Sequence, residues 1–580
     1  MDINDQNPDK GLPEAQPGME RPERPGKSDT KHRLLLLKVA CISIAVLVLA
    51  GFAIYGGVRV YQHFYGMKKA EESIPADLNL EEGEYRILYQ GQDRGIALVQ
   101  NKSIYLDLDV VNEGWADGML FWAKDVDQIL YTTQTEQQVF DIGSTDIISY
   151  QGKPYINAAT AQSMFGTQYY VNQKNYTVMV RQSDGKVGEI QDPCYLLQDP
   201  SDQKVYTAHL KRGQTVEIYE SDQEGYYFAA TEDCYTGYVK QDLVTVTDST
   251  LSRKKPLQAG QQNLIDGTVS LAFQQFYSDQ PSDEDYQHIN DCSYYINVIV
   301  PTYFTLNSQG GIDSVANADY VAWVKQKGYQ VWAMLNNNFD DSLTAAAFES
   351  TENRKALCQQ LLKYCQDMHL DGINVDIEGQ TEDTEPYYIQ FLRELSMTLR
   401  PQGYILSVDC LVPSEWTSHI QRDVIGELSD YVLVMAYDEH YDGSEAGSTS
   451  SQSFTMDAIT NMLKYVEKDK LILGIPWYTR VWMGIDNLRS DAVGMDQAQS
   501  IVDENGLTET YDSTTGQNYA EGMIGETLYR IWMEDETSLT WRLRLALDSG
   551  LAGIGAWSLG FENYEVWTVY ENVLMTSGKY

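Results

Sequence analysis

The run Leu370-Asp371-Gly372-Ile373-Asn374-Val375-Asp376-Ile377-Glu378 constrains this chain more than any other stretch. Read with a strand's period of two, Asn374, Asp376 and Glu378 project to one side, and Ile373, Val375 and Ile377 to the other. A strand of a parallel barrel needs this division. Its apolar side chains pack outward on helices, while its polar ones converge inward at the carboxyl end. Carboxyls this close cannot all ionise freely, so at least one is expected to stay neutral and serve as a general acid. An acidic strand end facing solvent would carry the same charges but leaves the apolar flanks unexplained.

From Leu264 onward, apolar strand-like runs alternate with helical patterns, which predicts an α/β fold of the (β/α)8 TIM-barrel type. The expected strands are 269–273, 296–300, 331–335, 372–378, 406–411, 431–437, 471–476 and 553–557. Expected helices between them include 318–327, 354–368, 386–399 and 456–466. The long gap at 480–536, between the seventh and eighth strands, predicts an inserted subdomain walling one side of a cleft.

At 580 residues the chain is expected to hold two to four domains. Its formal net charge of -42 excludes nucleic acid as a partner, because no basic surface is left to neutralise phosphates. The 41 Tyr suit a sugar-binding cleft, and Tyr-rich β domains equally well. Of seven cysteines, Cys41 lies in the apolar N-terminal run; the other six show no CxxC or His-Cys spacing, so no metal or cofactor is expected. Cys194 and Cys234 can bridge within one small domain or stand as isolated thiols.

Residues 1–33 read as a disordered cytoplasmic tail, polar and without apolar periodicity. Residues 34–58 read as a transmembrane anchor, since Val39 to Val58 carries no charge and spans a hydrocarbon core of ~30 Å. Lys31, Arg33 and Lys38 before the span, against Arg59 after it, favour a cytoplasmic N terminus and an extracytoplasmic remainder. Residues 75–190 hold a weak repeat: Asn101-Lys-Ser-Ile-Tyr-Leu-Asp-Leu resembles Gln151-Gly-Lys-Pro-Tyr-Ile-Asn-Ala, each opening a strand-helix-hairpin unit. Residues 193–247 form short alternating runs between Gly-rich and acidic turns, a small β-barrel pattern, and 248–260 reads as linker.

Asp371, Asp376 and Glu378 match the D-x-x-D-x-D-x-E pattern of the family 18 glycoside hydrolases, which this segment resembles. Asn374 stands where many members carry Asp, a variant resembling the bacterial spore and cell-wall lytic branch. Met435-Ala436-Tyr437-Asp438 resembles the family's M-x-Y-D, and Gly474 to Arg480 resembles its G-I-P-x-Y-x-R. Gly555-Ala556-Trp557 falls where the family places an indole beneath the cleaved sugar. Pro301 to Phe304 and Asn336 to Phe339 resemble the spore-lytic branch. The repeat region resembles copper amine oxidase N-terminal-like repeats, and 193–247 resembles bacterial SH3-like domains.

The resemblance implies retaining, substrate-assisted hydrolysis beside an N-acetylated sugar. Glu378 would protonate the leaving oxygen, Asp376 would stabilise the acetamide, and Tyr437 would donate to the acetamide oxygen. Trp557, Asp438, Tyr478, Asn374, Asn338 and Tyr303 are the expected substrate contacts. The implied partner is an N-acetylglucosamine-containing polysaccharide, peptidoglycan or its cortex form before chitin. A sugar-binding envelope protein without catalysis is the alternative, and Asn374 is the feature in its favour.

Overall fold

The computed structural model describes residues 27–70, 80–252, 262–292 and 295–577. Most of the expected tail and most of the expected linker lie outside the described residues. The chain divides into two compact units, one of residues 1–73 with 186–247, the other of 74–185 with 248–580.

In the first unit, the helix Lys27–Tyr65 contains the segment Lys38–Val60, long and apolar enough by length and composition to cross a membrane. Three residues past its end, Lys68–Lys69 add a short parallel strand beside Val205 and Tyr206. The small β unit begins earlier than expected, at the strand Lys186–Ile190. Its core is Ile190, Leu196, Leu210, Val216, Ile218, Ala229 and Val239. No disulfide joins Cys194 to Cys234, so the expected bridge does not form.

In the second unit, residues 80–185 form short strands and helices. The strands Ser103–Asp107 and Lys153–Asn157 pair antiparallel, Leu106 opposite Ile156. Each ends in a side-chain carbonyl or carboxyl oxygen capping a short helix: Asp107 accepts from the Asp109 N–H, Asn157 from the Ala159 N–H, both at 2.9 Å. The chain remains bonded through Leu251, where 248–260 was expected to be linker. The Ser249 N–H donates to the Gly185 carbonyl and the Asp184 N–H to that of Leu251.

The barrel strands are β1 (Val269–Gln274), β2 (Val298–Pro301), β3 (Gln330–Asn336), β4 (Gly372–Asp376), β5 (Ile405–Leu411), β6 (Tyr431–Met435), β7 (Leu471–Pro476) and β8 (Gly553–Trp557). All neighbours are parallel, and pairing of β2 with β3 and of β1 with β8 closes the cylinder. Ile373, Val375 and Ile377 join the apolar layer between strands and helices. Inside, Val269, Leu271, Phe273, Val300, Trp332, Met334, Leu433 and Ile472 fill the lower cylinder. A Cβ at Gly553 would lie 1.9 Å from the Val269 carbonyl oxygen, so glycine lets β8 approach β1.

The helices used below are α1 (Ala318–Gln326), α2 (Thr351–Met368) and α3 (Glu385–Leu399). The helix expected at 456–466 is instead Gln452–Met462, because Ser451 caps it by accepting from the Phe454 N–H. The insertion starts at Tyr478, two residues earlier than expected. It is a five-stranded antiparallel sheet from Tyr478–Met483 to Thr527–Trp532 with the helix Met495–Asn505.

The repeat region packs on α2 and α3. Phe121 meets Tyr387 edge-on at 5.5 Å, and the Arg354 guanidinium lies 5.1 Å above the Phe121 ring. The Thr351 N–H and hydroxyl donate to Asp125, which thereby caps α2. Arg354, fully buried, donates to Glu394 at 3.3 Å; Gln390 donates to Glu394 and to Thr132. Glu394→Ala leaves a buried guanidinium without its carboxylate and is expected to cost about 3–5 kcal/mol. Denaturant unfolding of the full chain checks it, as a lower midpoint with the repeat region and barrel melting together. An unchanged midpoint would refute the network's role.

Candidate active site

β4 delivers the acidic residues as its period requires. Asp376 lies opposite Asn336 of β3, and Asn374 opposite Ser407 of β5. The next register step brings Asp409 of β5 beside Asp376. Asn374, Asp376 and Asp409 are buried within the cylinder. The Asn374 amide donates to Asp409 Oδ1 at 2.8 Å and to Ser407 Oγ at 3.3 Å. Asn374 Oδ1 and Asp376 Oδ1 have no hydrogen-bond partner among the described residues.

β4 stops at Asp376, short of the expected end, and Glu378 stands in the following turn. Asn337 substitutes for the missing ladder: the Glu378 N–H donates to Asn337 Oδ1 at 3.1 Å, and Asn337 Nδ2 donates to the Glu378 carbonyl at 2.6 Å. Burial, then Asp376, then Asp438 push the Glu378 carboxyl up to about 8. Burial and Asp409 hold Asp376 well above the usual carboxylate range, and burial with Glu378 raises Asp409 against the opposing Asn374 bond. Among the described residues no Lys or Arg forms an ion pair with any of the three. Carboxyls crowded together without a cation titrate above exposed ones, and they cannot all ionise at once.

Tyr437 follows β6, and its phenol is kept neutral by burial and by the facing Asp409, Asp376 and Glu378. The Tyr478 ring lies 6.3 Å from that of Tyr437, and its hydroxyl bonds Asp438. Asp438 adopts a left-handed φ of 55° and accepts from Arg480 Nη2 at 3.1 Å. Trp557 ends β8, half-buried, its ring 5.3 Å from Phe273; its peptide to Ser558 is cis. The structure therefore gathers Glu378, Asp376, Asn374, Tyr437, Tyr478, Asp438 and Trp557 at the carboxyl ends of β4, β6, β7 and β8.

Two expected contacts are placed differently. Tyr303 is buried in the outer layer between strands and helices, its ring 5.1 Å from Phe276. Asn338 is exposed in a left-handed turn, its N–H donating to Asn336 Oδ1, while its neighbour Asn337 makes the buried contacts. Asp371 sits at the opposite end of β4, bonding Lys325 of α1 at 2.6 Å and the Val331 N–H at 2.9 Å.

Residues 272–562, just over half of the chain, match the family model described as glycosyl hydrolases family 18. The chain belongs to this family. It is similar to "Uncharacterized glycosylase YvbX" of Bacillus subtilis (strain 168), 24% identical over 288 residues, 47% of this chain and 83% of that protein. It is also similar to the "Cortical fragment-lytic enzyme" of the same organism, 24% identical over 243 residues, 40% of this chain and 56% of that one. The solved Bacillus cereus spore cortex-lytic enzyme SleL shares the fold at a TM-score of 0.50 and 17% identity, over 64% of this chain and 91% of that one.

This family 18 glycosidase holds site features that the linear pattern does not announce. Asp409 was missed, although Ser407 and Asp409 are the polar inner positions of β5 at period two. The loops after β1, β3, β5, β6 and β8 carry exposed Tyr277, Phe339, Trp416, Tyr441 and Tyr564. Exposed flat faces on loops that leave the carboxyl ends of barrel strands are of the kind sugars stack on. Asn337→Ala strands both backbone groups of Glu378 and is expected to cost about 1–3 kcal/mol. Its kcat should fall more than its KM changes, since Glu378 loses its orientation. Steady-state kinetics with thermal unfolding check this, and wild-type kcat would refute it.

Proposed function

We propose that this glycosidase cleaves β-1,4 bonds next to N-acetylated sugars in peptidoglycan, including cortex, with chitin as the lesser substrate. Glu378 carries the reading: a half-buried carboxyl with no ion-paired cation among the described residues, kept neutral at the barrel mouth beside Asp376. A neutral carboxyl there is a proton donor for a bridging oxygen. The substrate's acetamide carbonyl attacks the anomeric carbon, so no protein nucleophile is required. Asp376 stabilises the charge that develops on the acetamide nitrogen, and Tyr437 donates to the acetamide oxygen. Trp557 underlies the sugar, while Asp438, held by Arg480 and Tyr478, reaches its hydroxyls.

The segment Lys38–Val60 supports a single-pass anchor, with the barrel extracytoplasmic and the tail cytoplasmic. The repeat region and the SH3-like unit are read as wall-contact modules. The name of one similar protein, a cortical fragment-lytic enzyme, supports the wall polymer.

The full chain in detergent, given a fluorogenic N-acetylglucosamine oligomer and purified sacculi, tests the reading. Glu378→Gln is expected to keep the fold and abolish turnover; a variant as fast as wild type would remove Glu378 from the reaction, and an inactive wild type would favour pure sugar binding.

The pH dependence has a defined sign. The required acid is the protonated form, so activity should fall as pH rises through about 8. The same shift makes ionisation cost more in the folded than in the unfolded state, so this group's contribution to stability declines between about pH 4.5 and 8. Glu378→Gln should therefore be more stable than wild type at pH 8, with a smaller gain at pH 5, as read by thermal melts. Equal differences at both pH values would contradict a raised carboxyl.

A further inference from the structure

We propose that Asp409 is the proton acceptor for Asp376, held in position by Asn374, so that the two aspartates carry one proton between them. The inference rests on the glycosidase reading above and adds a residue to it. β4 and β5 run in parallel register, with Val375 opposite Val408, which makes Asp376 and Asp409 neighbours on the inner wall. Both are buried, and no ion-paired cation among the described residues neutralises them. Two adjacent buried carboxylates repel strongly, so one proton stays with the pair.

The hydrogen bonds say where that proton belongs at rest. The Asn374 amide donates to Asp409 Oδ1, which favours the anion there, whereas Asp376 Oδ1 has no partner among the described residues. The groups facing Asp409 are Asn374, Asp376 and Glu378 from β4 and its following turn, Tyr437 after β6, Tyr388 of α3, and Cys410 on its own strand. Of these, Asp409 is the carboxyl that stands in register beside Asp376 and is already bonded by the Asn374 amide.

During the reaction, positive charge develops on the acetamide beside Asp376, and an ionised Asp376 neutralises it best. The O–H bond of Asp376 breaks as one forms on Asp409. The pair keeps a single negative charge throughout, and the transfer reverses when water resolves the intermediate. Asp409 touches no substrate in this scheme; it is a positioning residue acting through Asp376. Asn374, which resembles a loss of an acid in the linear pattern, here becomes the donor that orients the acid on the next strand.

Asp409→Asn in the full chain removes the acceptor but keeps the shape and a hydrogen-bond acceptor for Asn374. The expected result is a kcat lower by roughly tenfold to a thousandfold, KM nearly unchanged, and the acid limb of the pH–rate profile moved to higher pH. The double variant Asn374→Asp/Asp409→Asn returns one carboxyl to the pair from the neighbouring strand and should recover much of the rate. An unshifted acid limb in Asp409→Asn, or a double variant no faster than the single, overturns the proposal in favour of a packing role. Infrared spectra with isotope-labelled aspartate read the same pair without turnover. A protonated aspartate carbonyl stretch is expected in wild type at neutral pH and absent in Asp376→Asn. Its absence from wild type overturns the proposal even if the chain proves inactive on every sugar, which keeps this failure separate from failure of the glycosidase reading.

Discussion

Two carboxyl groups inside a closed cylinder and a third at its mouth, with no ion-paired cation among the described residues, are the constraint around which the rest of the barrel is arranged. Such burial opposes folding, and something must offset it. The offset is the apolar layer outside the strands, where Ile373, Val375 and Ile377 of the same strand pack with residues from the surrounding helices. A single strand thus stabilises the fold with one face and stores reactive chemistry on the other. Parallel register is what keeps the two roles apart, since a slip of one residue would exchange the faces.

Precision at the site comes from neighbours rather than from the acids themselves. Glu378 stands two residues beyond its strand, yet Asn337 binds both its backbone groups and Thr344 in turn accepts from Asn337. Asp438 occupies a left-handed conformation that its bonds from Arg480 and Tyr478 hold in place. Those two residues belong to the inserted sheet, so the insertion is part of the cleft's framework as well as its wall.

The same logic extends to the repeat region. Its contact with α2 and α3 is built on a buried polar network, with Arg354, Glu394, Gln390 and Thr132 mutually bonded beneath Phe121. Buried polar networks are sensitive to any lost member, which makes this contact specific. Asp125 capping α2 adds a second point of attachment. The barrel and the repeat region are for this reason one compact unit, whereas a tethered spacer would have left Arg354 in water.

The sequence by itself determined the eight alternating strands, the face of β4 that carries the acids, and the place of the insertion. It did so because period-two patterning and barrel spacing are local and repeat eight times. Only the tertiary structure decided which polar residues meet. Tyr303 and Tyr437 each follow a barrel strand in a recognisable motif, yet one turns outward into the core and the other faces the carboxyls. Asp409 is invisible beside Asn374 in the linear chain, 35 residues away, and becomes its partner at 2.8 Å only through the parallel pairing of their strands. Spacing along a strand reports which face a side chain takes; what stands opposite it depends on register between strands, and closure of the barrel sets that.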